Sequence, residues 1–113
     1  MSRQTGFKFL LYVAGHSQNS TRAIANLNML CQTYLADRHQ IEVVDVFKEP
    51  KRALADGVLM TPMLVKLAPS PVSRIVGSLS NAKTVLESLG LESNQFGEVA
   101  LAQQALRPES ATP

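Results

Sequence analysis

Between Phe7 and Phe47 the chain changes its apolar rhythm twice, and this change constrains the fold more than any other feature. Phe7 to Val13 (FKFLLYV) is a near-continuous apolar run, the pattern of a strand covered on both faces of a parallel sheet. Ala14 to Ser20 (AGHSQNS) is turn-forming and ends in two residues suited to cap a helix, Asn19 and Ser20. From Thr21 to Asp37 the residues Ile24, Leu27, Leu30, Cys31, Tyr34 and Leu35 recur at three- and four-residue steps, which makes one apolar face of a helix. Ile41 to Phe47 (IEVVDVF) then returns to β-branched and apolar residues. A strand, helix, strand unit of this kind forms a right-handed parallel crossover.

The second half carries shorter signals. Pro50, followed by KRALAD and Gly57, has the proline-first, glycine-last form of a short helix. Met63 to Leu67 and Val72 to Val76 suit strands joined by a turn at Pro69-Ser70-Pro71. Ser80 and Asn81 can cap a last helix with the apolar face Val85, Leu86 and Leu89, ended by Gly90. The predicted fold is therefore α/β in the order β-α-β-α-β-β-α, which is the thioredoxin-like order. Residues 7–91 form the domain, 1–6 a flexible N-terminus and 92–113 a frayed tail, in which Val99, Leu101 and Leu106 make a weak helical stripe. Thr61-Pro62 stands directly before the third strand, where thioredoxin-like folds place a cis-proline facing the active-site loop; sequence does not assign the isomer.

That fold raises the question of redox chemistry. A dithiol enzyme needs Cys-X-X-Cys at the start of the first helix, where the helix N-terminus lowers the thiol pKa. The corresponding loop here, Gly15 to Ser20, has no cysteine, and the single Cys31 falls mid-helix on the apolar stripe, where it reads as a small buried hydrophobe. His16 and Ser17 are adjacent on a turn with no carboxylate to orient an imidazole. His16 and His39 lack ligand-like spacing, and there is no P-loop or dinucleotide fingerprint. Asp45 could be a binding carboxylate, a solvated strand end or a structural hydrogen-bond acceptor. No catalytic residue, metal or cofactor is expected. The longest uncharged apolar run, Phe9 to Ala14, falls far short of the roughly 20 residues that span a bilayer, and no signal-peptide pattern is present, so a cytoplasmic protein is expected. Residues 1–91 carry ten Lys and Arg against six Asp and Glu, a mildly basic balance that suits an acidic partner surface.

Several stretches together resemble the KaiB family: LYVAG (Leu11 to Gly15), Asn19-Ser20 with Arg22-Ala23, VVDVFKEP (Val43 to Pro50), LMTPMLVK (Leu59 to Lys66), APSPVSRIVG (Ala68 to Gly77) and LSN (Leu79 to Asn81). The N-terminal sensor domain of the clock histidine kinase SasA is similar too. The resemblance implies a non-enzymatic clock component that docks on a KaiC-type ATPase ring and alters recruitment of KaiA-like or SasA-type histidine-kinase partners. It also implies a second half able to switch from the thioredoxin-like arrangement to one that forms a homo-oligomer, a tetramer or dimer. Carried over residue by residue, Arg22, Lys66 and Arg74 match basic positions directed at KaiC; without the resemblance each would read as a solvated surface charge. The fold-switch region would contain Pro62, Pro69, Pro71, Ser88 and Gly90. Departures from the family pattern are Ser73 for the first of two arginines, Gly57 and Glu42 for lysines, Pro69-Ser70-Pro71 for a triple proline, and Ser88-Leu89-Gly90 for Gly-Leu-Asp.

Three other readings compete. A thiol oxidoreductase lacks its cysteine pair. A nucleic-acid-binding module would use Lys48, Lys51, Arg52, Lys66 and Arg74 and would bind with steep salt dependence, but lacks a dense basic stripe with stacking aromatics. A KaiB-like adaptor outside any clock would share all the features above.

Overall fold

The computed structural model of the chain describes residues 6–93 and 99–101. A first compact unit ends at Ser80 and a second begins at Asn81. In the first unit β1 (Phe7–Val13) is an interior strand of a four-stranded sheet with the order β2-β1-β3-β4. It pairs in parallel with β2 (His39–Asp45), reached through α1 (Gln18–Tyr34), and antiparallel with β3 (Met63–Ala68). The short α2 (Pro50–Ala55) separates β2 from β3, and β4 (Ser73–Val76) completes the sheet as the antiparallel partner of β3. Every residue of β1 except Lys8 is buried, because the strand has neighbours on both edges and cover on both faces. On one face Leu10, Tyr12, Val44, Met63 and Val65 form a core with Ala53 of α2. The opposite face of β1 carries Phe9, Leu11 and Val13, and the crossover helix buries Ala23, Leu27, Leu30 and Cys31.

Side chains shift the element ends away from where periodicity put them. α1 starts at Gln18, because Ser17, not Asn19 or Ser20, is the cap: its Oγ accepts the Ser20 amide at 3.2 Å. Ser20 is fully buried, and its Oγ accepts the Ala14 amide at 3.0 Å and the Ser17 hydroxyl at 2.8 Å. The helix stops at Tyr34, not Asp37; the Leu35 amide still reaches the Cys31 carbonyl, and Asp37 has φ 63. β2 ends two residues earlier than expected. There the Asp45 carbonyl accepts the amides of Lys48 and Glu49, turning the chain towards α2.

The Thr61-Pro62, Ala68-Pro69 and Ser70-Pro71 bonds are all cis. The first lies immediately before β3, and the other two fall in the turn between β3 and β4.

In the second unit α3 (Ala82–Ser88) is capped by Asn81, whose side chain accepts the Thr84 amide at 3.1 Å. Its buried residues Val85 and Leu86, with Leu89, are the expected apolar face. Gly90 follows with φ 83, the left-handed conformation that closes a helix most easily at glycine. Beyond it the expectation of a helical stripe is overturned for Val99 and Leu101. They lie in β6 (Val99–Leu101), which pairs antiparallel with β5 (Leu91–Ser93). Valine and leucine at alternate positions fit a strand as well as a weak helix. Leu106, most of the expected flexible N-terminus and the end of the tail lie outside the described residues. Among the described residues no helix is long and apolar enough to cross a membrane.

Candidate interaction surface

Two of the residues that could have carried chemistry, Cys31 and Asp45, have structural work instead. Cys31 is 1% exposed, and burial pushes its thiol up to about 11, so it is protonated at neutral pH and a poor nucleophile. Replacing Cys31 with Ala is expected to cost about 1 kcal/mol of stability through lost packing and to leave partner binding unchanged. Denaturant titration and a binding isotherm check this; loss of binding with the fold intact would revive a thiol role. Asp45 is a structural acceptor: its Oδ1 takes the amides of Gly15 at 3.1 Å and Phe47 at 2.9 Å, tying the loop after β1 to the end of β2. His16 is exposed in that loop, and His39 Nδ1 lies 2.8 Å from the Leu35 carbonyl, distant in sequence from His16. Among the described residues no group of His, Cys, Asp and Glu could hold a metal ion.

Only one of the three basic positions carried over from the family resemblance is an unencumbered surface charge. Arg22 is exposed on the first turn of α1. Lys66 is 4% exposed on β3, paired across the sheet with Phe9 and Ser73, and burial pulls its pKa below the ordinary lysine value. Periodicity placed it at a strand end; the strand continues to Ala68 and carries it inside. Arg74 is on β4 and half-exposed, but its guanidinium donates to the Asp56 carbonyl at 2.8 Å and to Asp56 Oδ1 at 2.9 Å. The other oxygen of the same carboxylate accepts the Tyr12 hydroxyl at 2.8 Å. Burial raises the Tyr12 pKa above the ordinary phenol value, and the Asp56 hydrogen bond and charge add to the effect.

The basic stripe required of a nucleic-acid module is broken up in the same way. Arg52 binds both oxygens of Glu42 at 2.8 Å and approaches Glu49 at 3.5 Å. The hydrogen bonds from Arg52 hold the Glu42 carboxyl below its ordinary pKa. With Lys66 buried and Arg52 and Arg74 held by carboxylates, Lys48 and Lys51 are the exposed remainder of the five.

What the surface does offer is apolar. Phe47, Leu54, Leu59 and Met60 are 73%, 75%, 91% and 61% exposed, and they fall within one stretch that also holds the exposed Lys48 and Lys51. α2 explains the arrangement: six residues long, it buries Ala53 alone and turns Leu54 outward. Asp56 caps it, Gly57 leaves it with φ 71, and the chain runs over the surface until Pro62 is buried at the entry to β3. The Phe47 ring lies against Gly15, within about 4 Å of where a side chain there would begin. Sequence reasoning missed these exposed side chains and missed Asp56. A signal was present: Leu59 and Met60 stand between a helix-ending glycine and a proline, where no regular element could bury them. Of the five expected fold-switch residues, Pro62 is buried, Pro69 half-buried, and Pro71, Ser88 and Gly90 exposed.

Likenesses to known proteins place this arrangement. The solution structure of the N-terminal domain of Synechococcus elongatus SasA superposes with a TM-score of 0.62 at 17% identity, covering 77% of this chain and 83% of that domain. The germline-specific thioredoxin Deadhead of Drosophila melanogaster gives a TM-score of 0.57 at 17% identity, covering 72% of this chain and 81% of that protein. These likenesses concern the fold, which is thioredoxin-like as expected. Circadian clock protein KaiB3 of Synechocystis sp. is 43% identical over 82 residues, 73% of this chain and 78% of the relative. The family model for the KaiB domain matches residues 10–91, from the core of β1 through the first residue of β5, and with this the chain belongs to the KaiB family.

Proposed function

We propose that the chain is a non-enzymatic clock component that docks on a KaiC-type ATPase ring and thereby changes which KaiA-like or SasA-type histidine-kinase partners reach it. The KaiB-domain match over residues 10–91 carries this reading. An exposed apolar segment at residues 47–60, interleaved with Lys48 and Lys51, supports docking on an apolar surface with acidic residues around it. The test mixes the purified chain with the KaiC-type ATPase of the same cell, loaded with ATP or ADP, and follows co-elution on size exclusion. A stable complex with either nucleotide form is expected. No complex with either would refute the docking.

The resemblance also supports a fold exchange, in which the second half leaves the present arrangement for a homo-oligomer. Ser88 at the end of α3 and Gly90 at φ 83 favour the helical, thioredoxin-like state, since serine costs a helix less than glycine and glycine closes it easily. In NMR spectra of the dilute free protein, residues 82–88 are expected to be helical; an exclusively non-helical pattern there would overturn the preference.

A further inference from the structure

We infer that Arg74 serves partner binding as a positioning residue, through Asp56 and the end of α2, and not by touching the partner. The inference rests on residues 54–60 being the docking surface. The geometry is specific. Asp56 is the C-terminal cap of α2, and its carbonyl is among those a helix leaves without an internal partner. Arg74 fills that vacancy with one nitrogen and holds the carboxylate with the other, so the backbone and side chain of one residue are fixed together by a planar fork. Tyr12, 1% exposed in β1, anchors the second carboxylate oxygen to the core. Asp56 is thus held from two strands that are not neighbours in the sheet, β1 and β4.

The segment that follows depends on that anchorage. The Gly57 amide donates to the Leu54 carbonyl at 3.0 Å and the Val58 amide to the Ala53 carbonyl at 2.9 Å, after which Leu59 and Met60 project into solvent. Leu54 stands two residues before Asp56 and Leu59 three residues after, so the angle at which α2 ends decides how these side chains are presented together. A guanidinium that holds two acceptors of Asp56 is fixed in orientation, and the Asp56 carboxylate already offsets its charge, which reduces its pull on an acidic group of a partner.

The experiment has two readouts on the full-length chain. Without any partner, Arg74→Ala is expected to shift the NMR amide signals of Gly57, Val58, Leu59 and Met60. With the KaiC-type ATPase ring, Arg74→Ala and Asp56→Ala are each expected to weaken binding about tenfold, and the double variant by less than the product of the two, because both break the guanidinium–carboxylate pair. Should Asp56→Ala fail to fold, Asp56→Asn keeps an acceptor for Tyr12 and takes its place. Unshifted amides at 57–60 in Arg74→Ala would overturn the inference. So would losses that multiply in the double, since that marks a direct contact. If the wild-type chain does not bind the ring, the docking reading falls, and the amide shifts still decide whether Arg74 positions the segment.

Discussion

Leu11→Ala is expected to destabilise the protein by about 2–5 kcal/mol, a large part of the roughly 5–15 kcal/mol that holds a domain of this size together. Leu11 is 0% exposed in an interior strand, with Val43 and Leu64 as its neighbours on either side. Both edges of β1 are paired and its Leu11 face is closed, so little can move into the space a lost isobutyl group would leave. Urea unfolding followed by circular dichroism gives the value, with the midpoint falling and the slope unchanged. A loss below about 1 kcal/mol would mean that this face of the sheet is not a closed core.

Leu59→Asp is expected to do the reverse, leaving stability within about 0.5 kcal/mol of the wild type while weakening binding to a KaiC-type ATPase ring at least tenfold. Leu59 is 91% exposed, so its replacement gives up almost no burial in the free chain. In a complex that buries residues 54–60 the same side chain would be desolvated. An aspartate there would carry a charge into an apolar contact and would meet acidic residues if the partner's rim is acidic. Thermal unfolding and fluorescence anisotropy with labelled protein separate the two effects. Wild-type affinity in this variant would remove residues 54–60 from the docking surface and return attention to Arg22.

The order of elements was legible because each has a distinct apolar period, and local periodicity survives in the folded chain. Its ends were not, since they are set by single polar atoms: Ser17 Oγ starts α1 and the Asp45 carbonyl turns the chain after β2. The site was harder to read for a related reason. Whether a lysine is exposed depends on which strands flank it, and Lys66 is enclosed by a sheet that no single segment reveals. Arg74 and Asp56 are 18 residues apart, so no short-range spacing announces their pairing. Arg22, on the first turn of a helix with a clear buried stripe, was legible because its own segment determines its exposure. The exposed apolar side chains were hidden because leucine and methionine are commonly interior residues, although a substantial share of folded surface is apolar.

Ser17 and Ser20 are spaced as a dithiol pair would be, the first exposed, the second buried, with their oxygens 2.8 Å apart at the start of the first helix. The spacing and helix-start position that a Cys-X-X-Cys pair would need are therefore filled by two hydroxyls. Two hydroxyls cannot be cycled between oxidised and reduced forms under conditions that serve a disulfide, and here they spend their lone pairs on the amides of Ser20 and Ala14. One atom at each of two positions separates this serine pair, spent on holding the loop to the helix, from a dithiol.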